Sequence, residues 1–337
     1  MLSLSKLPDG FSALGGQTLN PHGPGTLDVS GSSSGSAAGV ALDLAPVAIG
    51  TETCGSIISP SIANQIVGLK PTVGLLSRSG IIPLAGSYDT PGPMTKTVSD
   101  AALLMNIMAQ PDENDPLTIS SRPNYTDYAA NLHLESLQGA KLAAPLYFRR
   151  HPTGRAILSL LQEAGARTEL VDFTIPEVSF QVFLDVLLYE FRRDMNHYLK
   201  TNHPALGIDD LSDLIRFNKK DPDKRVPYGQ DILIKSNLCP LSEIEYKKTA
   251  QELRQLAHRR VIAPLFEQQK FDAILGNHPL LCAYASLPAV TVPFSKWKEK
   301  GAEFDQVTFV GPPLSEAKLL QFAYAFEQKT RARNTPV

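Results

Sequence analysis

The sequence predicts an α/β fold: a β-sheet core flanked by helices, with a helical insert late in the chain. Three observations predict it. Lys141-Leu-Ala-Ala-Pro-Leu146 begins a strand–helix–strand unit, with a helical pattern at 152–165 and a strand-like run at 168–171. Such alternation is the pattern of strands covered by helices. Three long helical patterns follow, near 178–200, 208–218 and 242–268. The chain then returns to short apolar runs at 271–275, 289–292 and 307–310, and closes with an amphipathic pattern over 315–326.

In chain order, residues 1–30 are turn-rich, with Pro8-Asp-Gly10, Gly15-Gly16, Asn20-Pro21 and Gly23-Pro-Gly25. They read as an irregular loop. Residues 37–44 read as a short helix preceded by Ser and Gly, and 46–49 as a buried strand. A second strand is expected at 66–70. Thr97-Val-Ser-Asp100 has the form of a capping box, with Asp in place of Glu, before the helix 101–108. Residues 110–138 are polar and read as a surface excursion. In the last long helix, Leu253, Leu256, Val261 and Leu265 supply the apolar positions, and Pro264 is expected to kink or end it.

Composition sets limits. The 337 residues suffice for one large domain or two ordinary ones; the reading favours one domain over 1–337, with a core at 12–110, the insert at about 178–268 and a return to the core at 270–333. A formal net charge of −2 and a pI near 6.4 give no basic surplus for nucleic acid or an anionic membrane. No apolar run reaches about 18 residues, so no membrane span is expected. Cys54, Cys239 and Cys282 are scattered and form neither a disulfide framework nor a metal-ligand spacing. A reducing compartment, the cytoplasm, is the simple expectation.

The chemistry concentrates between Ser30 and Ser61. Two loops of small residues, 30–36 and 50–56, are separated by an apolar segment. A Ser/Gly run is usually a flexible linker. Here each loop joins an apolar element directly, so its backbone N–H groups can be aimed at a ligand. Gly50-Thr-Glu-Thr-Cys-Gly-Ser56 has the form of a nucleophile loop: a strand leads in, Gly55 permits close approach, and Ser56 opens the next helix. The N–H groups of Thr53, Cys54, Gly55 and Ser56 could surround a carbonyl oxygen as it becomes an oxyanion. One such donor is worth roughly 3–4 kcal/mol. The plainer reading of Ser56 is a helix N-cap, and that of Ser32 is a turn hydroxyl among serines.

At these residues the chain resembles the amidase signature family, whose members hydrolyse amides with a Ser–cis-Ser–Lys triad. The two loops and Ile66-Val-Gly-Leu-Lys-Pro-Thr72 carry the resemblance. The family's serines lie 24 residues apart, as Ser32 and Ser56 do. The resemblance implies Ser56 as nucleophile and Ser32 as proton relay. It also implies a mixed sheet between helices, a cis Gly31–Ser32 bond, and no metal or organic cofactor. Thr53, Cys54 and Gly55 would form the oxyanion loop. Ser33 is both the alternative relay and a candidate substrate contact. The Gly-Thr-Glu-Thr-x-Gly-Ser branch, which includes bacterial peptide amidase, is most similar. Gly15-Gly-Gln-Thr-Leu-Asn-Pro21, Ser77-Arg-Ser-Gly-Ile-Ile-Pro83, Asp89-Thr-Pro-Gly-Pro-Met94 and Phe322-Ala-Tyr-Ala-Phe-Glu-Gln328 resemble it too.

The departures matter. The family's lysine precedes its cis-serine by some seventy residues or more, and Ser32 has 31 residues before it. The chain is therefore expected to lack the family's N-terminal part. Lys6 lies on a turn-rich segment without the family's local pattern. Lys70 matches a different, structural position, and His22 is a loop histidine of ordinary kind. Cys54 stands where the most similar branch often has Asp, and a small buried hydrophobe is its simpler reading. Ile58 replaces a common Arg, which shifts substrate preference. The segments after Leu275-Gly-Asn and around 293–305 are shorter than the family's. Three functions follow: an amidase acting on a small-molecule or peptide amide, a remnant impaired by loss of its lysine, or an amidotransferase subunit. A homodimer is left open.

Overall fold

The computed structural model describes residues 7–121, 125–172, 180–202, 207–294, 306–333 and 335–336. Residues 7–30 hold one short antiparallel pair, β1 (Phe11–Ser12) with β2 (Gly16–Gln17). Helix α1 (Ser34–Ala41) buries Ala37, Ala38, Val40 and Ala41. Strand β3 (Val47–Glu52) follows. The sequence reading expects it buried; instead it is the edge of the sheet, and Ile49 is 51% exposed. An edge strand pairs on one side only, so alternate side chains stay in contact with solvent. Helix α2 (Ile58–Ala63) starts two residues after Ser56, and β4 (Val67–Lys70) is buried throughout.

Strand β5 (Thr90–Thr95) was not expected, because Pro91 and Pro93 argue against a strand. It pairs with β3 over its whole length, but with β4 only through Met94 and Thr95. The proline nitrogens thus fall where few ladder bonds are called for. Helix α3 (Val98–Met108) begins as expected: Thr97 Oγ1 accepts the Asp100 N–H at 3.1 Å. Asp100 is one methylene shorter than Glu, and its carboxylate takes the Thr97 hydroxyl at 2.6 Å. The excursion after α3 carries α4 (Pro116–Ser121), and it buries Asp115 and Tyr128.

Next come β6 (Lys141–Pro145), α5 (Tyr147–Arg150), α6 (Pro152–Glu163) and β7 (Arg167–Val171). The insert consists of α7 (Phe180–Asn202), α8 (Leu211–Lys219), α9 (Pro222–Arg225), α10 (Asp231–Asn237) and α11 (Glu243–Ala257). Ser242 and Glu245 form a complete capping box on α11. Pro264 does not end the helical path, which continues through it as wide π turns over His258–Gln268. Bonds of i→i+5 spacing leave room for a proline that lacks an N–H. The chain finishes with β8 (Ala273–Leu275), α12 (Pro279–Tyr284), β9 (Ala289–Pro293), β10 (Gln306–Val310) and α13 (Glu316–Thr330).

The eight-stranded sheet runs β3-β5-β4-β9-β10-β8-β6-β7. It is mixed: β6 is parallel to β7 and β8, and the other pairs are antiparallel. Its faces sort by the two-residue period of a strand. Leu142, Ala144, Ala273, Leu275, Val290 and Phe309 pack with α3, α6 and α13. Ala143, Ile274, Ala289 and Val310 pack with α7, α11 and α12 on the other side. Fully burying one such aliphatic or aromatic side chain contributes about 1.5–3 kcal/mol. Among the described residues no helix is long and apolar enough to cross a membrane.

Candidate active site

Two loops meet beside the end of β3. The first carries Ser30 at φ +56° and a cis Gly31–Ser32 peptide bond, as the sequence reading expects. Its neighbours bind it to β3. Ser33 Oγ accepts the Thr51 N–H at 3.1 Å and donates to the Thr51 carbonyl at 3.2 Å. Ser36 Oγ donates to the Ile49 carbonyl at 2.9 Å, and Ser34 Oγ to that of Ser30. Gly50 must be glycine for this approach, since a Cβ there would lie 2.9 Å from Ser33 Oγ.

The second loop, 53–56, leaves β3 and turns at Gly55, whose φ of +88° favours glycine. The buried Glu52 carboxylate accepts the Ile57 and Ile58 N–H groups at 2.8 and 3.0 Å. That fixes the entry to α2 and satisfies its first donors. Ser33 N–H donates to the Ser56 carbonyl at 3.2 Å, joining the two loops directly. Among the described residues, the N–H groups of Thr53, Cys54, Gly55 and Ser56 have no hydrogen-bond acceptor. Thr53 Oγ1 donates to Asp89 Oδ1 at 2.5 Å.

Ser32, Ser56, Thr51 and Thr53 line one cavity of about 880 Å³, together with Asp9 and Asp89. Ile81, Leu84, Phe191, Met195, Leu214 and Leu233 give it an apolar side. The structure thus brings Ser32, Thr53 and Ser56 together. Three other expected residues lie off the cavity. The Ser33 hydroxyl is engaged with Thr51 on both sides and seats the Ser32 loop on β3. Cys54 packs with the cluster around Cys282 and Tyr284, and burial pushes its thiol up to about 12. It is a neutral, half-buried side chain. Gly55 supplies the turn and lies against Pro279.

The candidate bases are displaced from the cavity or lie outside the described residues, as Lys6 does. Lys70 is fully buried and donates to the Pro71 and Leu287 carbonyls, each at 3.1 Å. His22 Nε2 meets the Asn64 carbonyl at 3.1 Å, and burial lowers its pKa. The charged groups on the described cavity lining are Asp9, Asp89, Arg78 and Arg225. Among the described residues, no three His, Cys, Asp or Glu side chains come together as metal ligands.

The wall opposite the serine loops was missed in the sequence. Arg78 clasps Asp115 with Nε at 2.7 Å and Nη2 at 2.8 Å, and also donates to the Gly86 carbonyl. The hydrogen bonds it donates to Asp115 raise the pKa of the guanidinium; burial pushes the Asp115 carboxyl upward, but Arg78 holds it below its ordinary value. Asp89 Oδ2 accepts the Leu84 and Ala85 N–H groups at 2.7 and 2.8 Å. From α7, Asp194 accepts the Gly86 N–H and Glu190 the Ser87 N–H, both at 2.9 Å. Tyr246 of α11 donates its hydroxyl to Glu190 at 2.5 Å. The motifs at 77–83 and 89–94 marked the wall as family-like, but nothing in them reveals partners 37 to 108 residues away.

Comparison with known proteins shows what the chain is similar to. The family model described as Amidase matches residues 6–319. A probable amidase of Arabidopsis thaliana is 33% identical over 343 residues, covering 98% of this chain and 65% of the relative. The chain thus spans just under two thirds of that relative. The crystal structure of an amidase family protein from Bacillus anthracis superposes with a TM-score of 0.91 at 36% identity, over 100% of this chain and 67% of the other. Native peptide amidase from Stenotrophomonas maltophilia gives 0.89 at 35% identity, over 99% of this chain and 72% of the other.

Proposed function

The chain belongs to the amidase signature family, and from that premise we propose that it hydrolyses carboxylic amides, with Ser56 as nucleophile and Ser32 as proton relay. The observation that carries this reading is that Ser32 and Ser56 line one cavity beside a loop whose N–H groups have no acceptor among the described residues. Ser56 Oγ attacks the amide carbon as its proton passes to Ser32 Oγ and the proton of Ser32 passes on to a base. The carbonyl oxygen becomes an oxyanion facing the N–H groups of the 53–56 loop, where one donor contributes about 3–4 kcal/mol. The C–N bond then breaks as the base returns the proton through Ser32 to the leaving amine. Water enters, is deprotonated along the same route, and cleaves the acyl ester to release the carboxylate. A serine hydroxyl is weak at neutral pH, so this route ends on a base. By family resemblance that base is a lysine.

The apolar side of the cavity suits an amide with an apolar substituent, either a small aryl or alkyl amide or the amide of a short peptide. The general amidase reaction, amide plus water to carboxylate plus ammonia or amine, is the finer form of the proposal. One observation favours a second reading, an impaired remnant: no lysine or histidine stands on the described cavity lining. Hydrolysis of 4-nitroacetanilide by the chain and by Ser56→Ala separates the two. Turnover lost in Ser56→Ala supports the first. No turnover by either supports the second, and turnover kept in Ser56→Ala overturns both.

A further inference from the structure

The 30–36 loop is tied to β3 through Ser33 and Ser36, and the 53–56 loop to Ser33 and α2 by its carbonyls; among the described residues, the side-chain hydrogen bond from the 53–56 loop to the rest of the cavity wall is that of Thr53 to Asp89. Thr53 is buried, at 7% exposure, so its hydroxyl competes little with water. Asp89 is itself fixed. Its second oxygen accepts two backbone N–H groups, and its own N–H donates to the Ala85 carbonyl at 2.9 Å. Asp89 also belongs to the wall shared by the serine cavity and a neighbouring cleft of about 1040 Å³ that reaches Asp194 and Tyr246. The bond is therefore a strut between the nucleophile loop and the wall held by α7.

Resting on the amide-hydrolase reading, we infer that Asp89 is a positioning residue, which acts through the Thr53 hydroxyl to hold the 53–56 N–H groups in the geometry that receives the oxyanion. It touches neither the reacting atoms nor a proton in flight. Its effect belongs to the transition state, because the loop's donors must meet an oxygen that has moved off the carbonyl plane. The charged groups facing Asp89 are Glu190 from α7, which repels its carboxylate, and Arg78 from its own loop, which attracts it. Burial pushes Asp89 up to about 6 against its three hydrogen bonds. The carboxylate form, which accepts from Thr53, is the one that braces the loop, so the brace weakens as pH falls through about 6.

The test compares the full chain with Thr53→Val, Thr53→Ser and Asp89→Asn, using 4-nitroacetanilide hydrolysis from pH 5 to 9. Thr53→Val removes the hydroxyl at nearly constant shape and is expected to lower kcat about tenfold or more with KM little changed, as loss of part of an oxyanion site does. Thr53→Ser keeps the hydroxyl and recovers most of that loss. Asp89→Asn lowers kcat at neutral pH and removes the fall in rate near pH 6. A Thr53→Val rate within twofold of the parent, or a Thr53→Ser rate as low as that of Thr53→Val, overturns the inference. If the parent gives no turnover, the hydrolase reading itself is what fails, and the brace is read by hydrogen–deuterium exchange instead. Exchange over residues 53–58 then rises in Thr53→Val and not in Thr53→Ser if the inference holds; equal exchange in all three overturns it.

Discussion

The serine loops and the wall facing them are built differently, although they line the same cavity. The loops at 30–36 and 53–56 are held by short-range contacts to backbone: Ser33 to Thr51, Ser36 to Ile49, Glu52 to Ile57 and Ile58. The wall at 78–89 is held by side chains from distant parts of the chain, Asp115, Glu190 and Asp194. A backbone-held loop depends on small residues and tight turns, and those show in the sequence. A wall held by long-range pairs depends on the whole fold being in place. The first region should therefore fail chemically when altered, and the second should fail by loosening.

The largest expected effect lies in the loops. Ser56→Ala should lower amide turnover by on the order of 10⁴ or more, with far-UV circular dichroism and melting unchanged. Ser32→Ala should cost about 10²–10⁴, the range for a positioned proton-transfer group. If either variant unfolds instead, the contrast between a chemical region and a structural one breaks down.

On the wall, Arg78→Ala leaves the Asp115 carboxylate, with 5% of its side chain exposed, without its bidentate partner. Stability should fall by about 2–4 kcal/mol in urea unfolding, somewhat below the cost for a fully buried pair because the Arg78 side chain is 21% exposed. KM should rise more than kcat falls. Arg78→Lys should rescue little, since an ammonium cannot reproduce the two parallel bonds.

What the sequence revealed follows the same division. Ser32, Ser56, Gly50 and Gly55 stand in motifs whose geometry is local, and the alternation of strands and helices was legible from apolar spacing. The Arg78–Asp115 pair was not, because Asp115 lies in a stretch whose polarity reads as surface. Strand β5 was hidden by Pro91 and Pro93, whose missing N–H groups matter only once the partial pairing with β4 is known. The partner of the Ser33 hydroxyl was not legible either, because a hydroxyl's partner cannot be told from its loop alone; it is Thr51, 18 residues on.

Asp89 connects the two regions and gives a pH test. Its pKa rises from an ordinary 3.8 to about 6 in the folded state, chiefly by burial. Folding therefore takes up a proton between those values, and stability is lost as pH rises from about 4 through 6. Asp89→Asn is neutral at every pH. It should be more stable than the parent at pH 7.5 by about 2 kcal/mol, taking 1.36 kcal/mol per unit and discounting for relaxation, and gain little at pH 3.5. Thermal melts at the two values check this. A gain at pH 7.5 combined with lower activity would show a strained group kept for function.

The smallest expected effect is Tyr246→Phe, which removes one of the donors to buried Glu190. It should cost about 1–2 kcal/mol and leave the serine loops untouched, so its kcat should stay near that of the parent. A large fall in kcat would mean that the wall and the loops are one mechanical unit.

The central claim is that Ser56 is the nucleophile. It is tested most directly by treating the chain with millimolar phenylmethanesulfonyl fluoride and locating the adduct by intact mass and peptide mapping. The account predicts a single sulfonyl adduct on the peptide bearing Ser56, absent from Ser56→Ala and slowed in Ser32→Ala. An adduct on another serine, one that persists in Ser56→Ala, or an unmodified Ser56 would contradict it.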